Sequence, residues 1–547
     1  MRPTLTDKFY KRILMLCLSG ILTGLTVTFP KIGILGFITL IPLALFLLSV
    51  ASDKEVRLRA LYGYGITFFM SFYIVCFHWF INLYPLEFIE GMTRGGAIVV
   101  VLFATVGLSI FQALQSALIF PLMGLLFRSR AVREWLKPVI IAAFWAVYEW
   151  TQTFGTLAFP WSRLAIGQSS LTVGLQTASL FGSYFISFLV VLVNSYIAYA
   201  ILLSVTEKGN ARASAIRLST IVCASALLIQ YGAGLCLWLV NSPNEKADTV
   251  TVAVIQGNIP SGEKWNAETT EKTLTVYEKY TAKASEQGAS IVVFPETALP
   301  WTVKEGNSSY MYLSDLASTY EVTLLAGALT VEGSNEYNSI VCFTPDGEMS
   351  DTIYNKQHLV PFGEFVPLKG LIKALVPPLA DLILSGGEIT EGEGANIFEL
   401  KEGNIGSIIC FDSVFEELTL MSVREGAELI CLSTNDSWFT DSAALYMHNA
   451  QAQLRAIECG RYVARAANTG ISTIINHRGE VTDGLEPLVD GMIVKDVELR
   501  SNRTLYSYIG NLFVYICISF LAVIFIVAII KSPKKAHKII KKEEITL

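Results

Sequence analysis

Three ionisable side chains stand at or just beyond the ends of strand-like runs: Glu296 after "IVVFP", Lys356 within "TIYNKQHLVPFGEF" and Cys410 closing "GSIIC". Each has an ordinary explanation. A cysteine packs well as a small hydrophobe, and a glutamate or lysine beyond a strand is commonly solvated. Together they form a workable set for acyl transfer. A carboxylate can take the thiol proton, the thiolate can attack an acyl carbonyl, and an ammonium with backbone N–H groups can stabilise the oxyanion. Layered α/β domains gather their sites at the carboxyl ends of strands.

The elements that must position these residues begin near Asp248. "TVTVAVIQGNI" is a β-branched strand-type run, and "NAETTEKTLTVYEKYTAKASEQG" has helical spacing that stops at Gly288. The alternation continues through "ASIVVFPETALP" (strand), "MYLSDLASTYE" (helix), "VTLLAGALTV" and "YNSIVCFTPDG" (strands) and "NIGSIICF" (strand). "FEELTLMSVREGA" (helix), "ELICLSTND" (strand), "ALYMHNAQAQLRAIECGR" (helix) and "YVARAANTGISTIIN" (strands) follow, and "HRGE" is a hairpin turn. The pattern predicts an α/β layered domain with helices on both faces.

The rest of the chain is of another kind. Of 547 residues 52% are hydrophobic and only 16% charged, against roughly 25% charged in soluble domains, and the mean hydropathy is +0.49. Eight apolar runs predict membrane-spanning helices: 9–27, 32–50, 61–83, 97–126, 139–151, 180–205, 218–239 and 511–530. The fifth is short and carries Glu149, which is costly in hydrocarbon and is expected to lie against protein or a cavity. Basic residues cluster before the first run (Arg2, Lys8, Lys11, Arg12), after the second (Lys54, Arg57, Arg59), the fourth (Arg128, Arg130, Arg133, Lys137) and the sixth (Lys208, Arg212, Arg217), and in a tail of lysines beyond Lys531. The positive-inside rule then sets both termini in the cytoplasm and the α/β domain outside. The expected organisation is a bundle of seven spans over 1–240, an outward domain over 241–506, and a last helix with a basic cytoplasmic tail over 507–547. The N-terminal run lacks an A-x-A-like cleavage site and reads as an uncleaved anchor.

Nine cysteines lack paired spacing such as C-x-x-C, so no metal cluster is indicated and disulfides stay open. The net charge of −6 divides between an acidic outer domain and a basic tail that suits topology and anionic lipid. No nucleic-acid role is indicated.

"FPETALPW", "YNKQHLVPFGEFVPL", "SIICFD" and "STNDSWF" resemble the motifs of the carbon–nitrogen hydrolase (nitrilase) superfamily, and more closely those of the apolipoprotein N-acyltransferase family. "LAFPWSRLAIGQ" in the membrane part is similar to that family's FPW-containing loop. The resemblance runs along the whole chain and implies a nitrilase-like αββα sandwich joined to the membrane bundle. It implies Glu296 as general base, Lys356 as oxyanion lysine and Cys410 as nucleophile. It further assigns Glu364 as a second required glutamate, Trp265 as a required tryptophan, Asn338 as a site asparagine and Trp438 as the tryptophan of the "NDSWF" loop. Phe411 and Asp412 stand where the family commonly has Tyr-Glu, so a phenol is lost and the acid is one methylene shorter. Asp412 has the alternative role of accepting backbone N–H groups. Trp161 suits either an interfacial belt or guidance of lipid, and His78 and Trp79 read as packing.

The implied reaction is ping-pong. Cys410 takes an acyl chain from a membrane phospholipid, and the thioester passes it to the free α-amine of an S-diacylglyceryl-cysteine on an apolipoprotein, without a cofactor or metal. The implied setting is the bacterial cytoplasmic membrane, with the protein acting as a monomer. The competing reading is a membrane-anchored amidase or nitrilase that passes the acyl group to water. A third is a scaffold or transporter carrying a relic domain, against which the intact Glu, Lys and Cys speak.

Overall fold

The computed structural model describes residues 8–86, 92–243, 247–260, 262–264, 266–367, 369–370, 374 and 388–531. Hydrocarbon offers backbone groups no partners, so apolar runs crossing it close their hydrogen bonds internally as helices. Among the described residues seven helical segments are long and apolar enough to cross a membrane: Phe9–Thr28, Pro30–Ala51, Leu58–Cys76, Arg94–Phe127, Ser183–Thr206, Gly209–Val240 and Leu512–Ile530. Gly20 and Gly24 let the first lie directly on the third: an added Cβ would come within 2.6 Å of the Phe68 carbonyl and 2.9 Å of that of Phe72. Small residues four apart are the usual means of such close approach.

The weakest of the eight expected spans is the one that differs. It forms a helix, Lys137–Thr151, of 15 residues, about 22 Å long at the α-helical rise and shorter than the ~30 Å hydrocarbon core. It is nonetheless central, packed against Ser183–Thr206 and Leu512–Ile530, with Ile140 to Ala146 all buried. Glu149 lies against protein, accepting from Trp145 Nε1 at 2.9 Å and the Leu164 N–H at 3.0 Å. Two other boundaries move. The helix expected from residue 218 starts at Gly209, so Arg212 and Arg217 ride on it instead of in a loop. Residues 78–83, expected to continue a span, form a separate 3-10 turn.

The α/β part is two facing sheets. One contains β1 (Thr249–Gln256), β2 (Ile291–Val293), β3 (Thr302–Val303), β4 (Thr323–Glu332), β5 (Asn335–Phe343), β6 (Tyr354–Asn355) and β13 (Gly491–Glu498), in the order β13-β1-β2-β4-β5-β6 with β3 beside β4. The other has the order β12-β11-β10-β9-β8-β7, from β7 (Phe398–Leu400), β8 (Gly403–Ile409), β9 (Leu429–Thr434), β10 (Tyr462–Ala467), β11 (Thr473–Ile475) and β12 (Val481–Gly484). Alternation along β1 explains the layering. Val250, Val252 and Val254 join the core shared with Ile405 and Ile409 of β8, whereas Ala253 and Ile255 meet Tyr277 and Ala284 of the helix Ala267–Glu286. Helices Glu416–Arg424 and Ala443–Cys459 cover the second sheet. This is the expected αββα sandwich. β13, which pairs antiparallel with β1 over its whole length, lies outside the strands expected from sequence. All nine cysteines are free.

A buried ion network joins the sandwich to the bundle. Arg163, from the FPW-containing loop, contacts Glu416 at 2.6 Å, and Arg455 contacts Glu458 at 2.5 Å. Glu416 also accepts from Tyr184 Oη at 2.8 Å on the span Ser183–Thr206, and Glu458 from the Ser183 N–H at 2.9 Å. Burial disfavours the Glu416 carboxylate, but Arg163 and Arg455 outweigh it and hold its pKa down at about 2. Arg163→Met leaves Glu416 with the more distant Arg455, at 4.0 Å, and is therefore expected to cost about 3 kcal/mol, the lower end of the penalty for breaking a buried pair, read as a lowered unfolding midpoint in detergent. The stability that Glu416 contributes is present above its unfolded pKa of about 4.3 and is lost as pH falls towards 2; in the variant, with Arg455 left beside the carboxylate, that acid-labile increment is smaller.

Candidate functional site

Glu296, Lys356 and Cys410 come together at one end of the sandwich. Glu296 follows β2 through Phe294 and Pro295, Lys356 follows β6, and Cys410 is the first residue after β8. β4 passes so close to the β2 exit that a Cβ on Gly327 would sit 2.3 Å from the Pro295 carbonyl. The next residue, Thr297, has φ +44°, a conformation L-residues hold only when their surroundings over-determine it.

Lys356, 1% exposed, joins two carboxylates: its Nζ lies 2.9 Å from Oε1 of Glu296 and 2.9 Å from Oε1 of Glu364. Asn338 Nδ2 donates to the same two oxygens at 2.8 and 3.0 Å. The remaining oxygens are also held, Oε2 of Glu296 by the Asn435 N–H at 2.8 Å and Oε2 of Glu364 by the Val360 N–H at 2.8 Å. Burial works against a charged lysine, but the two glutamates outweigh it and hold Lys356 well above the usual lysine range.

Cys410 is partly exposed, unlike Cys342, Cys431 and Cys459 in the sandwich core. Burial of its thiol, followed by the Glu296 charge, pushes its pKa well above the ordinary range, while Lys356 and a hydrogen bond with Thr434 act in the opposite direction. The resting group is thus a thiol that must hand over its proton as it reacts, with Glu296 and Lys356 both in its electrostatic surroundings.

The other expected site residues fall into three groups. Asp412 is fully buried and accepts from the N–H of His358 at 2.8 Å and of Ile409 at 3.2 Å, and from Tyr354 Oη at 2.9 Å; this is the geometry of an acceptor that shapes the Cys410 turn. Phe411 and Trp161 belong to an aromatic cluster between the two parts of the chain. The Phe411 ring lies 5.6 Å from Phe159, and Trp161 lies 5.4 Å from Trp79 and 5.9 Å from Phe439. Trp79 packs there, and His78 bonds the Val75 carbonyl at 2.8 Å. Trp438 is at the rim on the turn Asp436–Phe439, 36% exposed. Trp265 lies outside the described residues.

Sequence reasoning missed Lys264, Asp436 and His448. Lys264 is 3% exposed, and its Nζ lies 2.8 Å from Thr297 Oγ1 and 3.5 Å from the Glu296 carbonyl. Burial lowers its pKa to about 7, with Glu296 opposing. It precedes the Trp265 singled out by motif, and Asp436 lies within "STNDSWF", so both were in view without a role. His448, inside a helical stretch, gave no local signal.

Two family models match the chain: "Apolipoprotein N-acyltransferase N-terminal domain" over residues 19–196 and "Carbon-nitrogen hydrolase" over residues 251–505. The apolipoprotein N-acyltransferase of Chromobacterium violaceum is 30% identical over 518 residues, covering 93% of this chain and 93% of its own. The chain belongs to the apolipoprotein N-acyltransferase family. The Geobacter metallireducens relative of the same name is 28% identical over 518 residues, covering 93% of this chain and 94% of its own. Among solved structures, the sandwich is similar to a mutant of the amidase from Nesterenkonia sp. AN1 in complex with butyramide, at 15% identity and TM-score 0.39 over 50% of this chain and 97% of that one. It is also similar to Saccharomyces cerevisiae Nit3, of the nitrilase superfamily, at 19% identity and TM-score 0.36 over 49% and 96%. With its apolar helices, the family member is a multi-pass protein of the bacterial inner membrane.

Proposed function

We propose that the protein transfers a fatty acyl chain from a membrane phospholipid to the α-amine of the S-diacylglyceryl-cysteine of apolipoproteins, through a thioester on Cys410. Family membership supports N-acylation of lipoproteins. The observation that carries the mechanism is the buried Glu296–Lys356 pair beside a thiol whose neighbour, Phe411, packs on Phe159 of the membrane-side loop.

In the first half-reaction Glu296 takes the Cys410 proton and the thiolate attacks the ester carbonyl. Lys356 stabilises the oxyanion, already oriented by the two glutamates. The C–O bond then breaks, and Glu296 returns the proton to the leaving lysophospholipid oxygen. In the second, the neutral α-amine attacks the thioester, Glu296 accepts a proton from the nitrogen, and the thiolate leaves and is reprotonated. Asn338 and the Asn435 N–H keep the Glu296 oxygens aimed throughout, Glu364 shares the lysine charge, Trp438 and the aromatic cluster around Trp161 guide the lipid, and Trp265 takes a site role on its motif alone. Both substrates are anchored in the bilayer, which accounts for a bundle where a soluble hydrolase needs none.

The same reading divides the chain into a bundle (1–240), a catalytic domain on the outer face (241–506) and a final helix with cytoplasmic tail (507–547), both termini being cytoplasmic and the enzyme a monomer. Purified protein given phospholipid with a labelled acyl chain and a diacylglyceryl-cysteine peptide is expected to yield N-acyl peptide. Hydrolysis of a small amide without peptide acylation would replace this reading with the amidase one.

A further inference from the structure

Cys410 has φ +48°, a backbone conformation that costs an L-residue about 1–3 kcal/mol unless something holds it. Its carbonyl is held twice, by Ser413 Oγ at 2.8 Å and by His448 Nε2 at 3.1 Å. The same Nε2 lies 3.0 Å from Ser413 Oγ, and Nδ1 lies 3.0 Å from Asp436 Oδ1. Asp436 is fixed by Arg465 at 2.6 Å and by Thr434 Oγ1 at 2.9 Å. His448, Asp436 and Arg465 are each 1% exposed or less. The residue before Asp436 is Asn435, whose N–H holds Glu296.

The Cys410 sulfur, an Asp436 oxygen and a His448 nitrogen lie within 4.8 Å of one another, a spacing that could hold a metal ion. Both Asp436 oxygens are already engaged by Arg465, Thr434 and His448, however, so the cluster reads as a hydrogen-bonded chain.

We propose that His448, oriented by Asp436, is a positioning residue for the reaction: it locks the Cys410 backbone so that the sulfur meets the acyl carbonyl at a fixed spacing from Glu296. The exit of β9 is then a ruler, with Asn435 gripping the carboxylate directly and Asp436 reaching the cysteine through the imidazole. Trp161 packs on the same ring, centroids 5.5 Å apart, so the membrane-side loop bears on the ruler. This inference rests on Cys410 being the nucleophile.

The test compares full-length wild type, His448→Gln and His448→Phe in detergent micelles containing phospholipid. Three quantities are read: the rate of acyl-thioester formation on Cys410 by mass spectrometry, the rate of Cys410 alkylation by iodoacetamide, and the unfolding midpoint. A small alkylating reagent needs the thiol but not its alignment with an ester. His448→Phe is therefore expected to lose about 100-fold in acylation, the usual penalty for a misplacement near 1 Å, with alkylation within about threefold of wild type on the same reasoning. His448→Gln, whose amide can still donate to the Cys410 carbonyl, is expected to recover at least a tenth of the wild-type acylation rate. Wild-type acylation in His448→Phe would overturn the proposal. So would acylation, alkylation and unfolding midpoint falling together with no rescue by glutamine, since that is a purely structural role. Absence of any Cys410 adduct in the wild type would instead overturn the nucleophile assignment, and this inference with it.

Discussion

Cys410→Ala is expected to abolish N-acylation of a diacylglyceryl-cysteine peptide, with turnover falling on the order of 10⁶-fold, the scale of removing a covalent nucleophile. Nothing nearby can substitute. Cys342, Cys431 and Cys459 are sealed in the sandwich core, and the remaining cysteines lie on membrane helices. Alanine adopts the positive φ of this turn at a cost similar to that of cysteine, and the carbonyl contacts with Ser413 and His448 do not involve the thiol. The unfolding midpoint is accordingly expected to stay close to wild type, which separates a lost nucleophile from a lost fold. Cys410→Ser should be at most a very slow or trapped enzyme, because a hydroxyl is far harder to deprotonate than a thiol. Quantifying N-acyl peptide by mass spectrometry checks both. Wild-type turnover in the alanine variant would refute the assignment.

Lys356→Met is the second large effect. It removes the ammonium that pairs with the carboxylates of Glu296 and Glu364, leaving one buried and one half-buried carboxylate on the Asn338 amide. Like charges so close cannot both stay ionised, so one takes up a proton and its pKa rises. The loss is therefore double: the oxyanion loses its cation, and the base is partly neutralised. Oxyanion donors contribute about 10²–10³-fold and a positioned base about 10²–10⁴-fold, so turnover should fall by at least about 10³-fold. The stability of the variant should also depend on pH in a way the wild type's does not. A carboxyl whose folded pKa lies above its unfolded value contributes stability that is present at low pH and lost as pH rises through the folded pKa. Lys356→Met is thus expected to melt progressively earlier as pH rises from about 4.3, the unfolded value. Parallel melting curves for the two proteins across that range would contradict the shared-charge account.

The sandwich was legible because its strands are β-branched runs and its helices carry clear stops such as Gly288. The site's three ionisable residues were legible for the same reason, each standing where such a run ends. Glu364 and Asn338 were reachable through motif resemblance, and both contact the Glu296–Lys356 pair. What stayed hidden are partners remote in the chain. Arg163 and Glu416 are 253 positions apart, and Asp436 and His448, although 12 apart, sit on different elements. No local pattern marks residues that meet only after folding. The short fifth run was hard to read because Glu149 looked out of place in an apolar helix, when its role is to accept the Leu164 N–H and the Trp145 indole. β13 was missed because its middle, Lys495 and Asp496, is exposed, and "KDVE" reads as a polar loop.

The central claim is that an acyl chain resides covalently on the sulfur of residue 410 between the two half-reactions. Wild-type protein incubated with phospholipid and mapped by peptide mass spectrometry tests it directly. The account predicts one acyl group on the peptide containing Cys410, removable by hydroxylamine and discharged when a diacylglyceryl-cysteine peptide is added. An acyl group found on another residue, or N-acyl peptide formed at full rate with no adduct on Cys410, would contradict it.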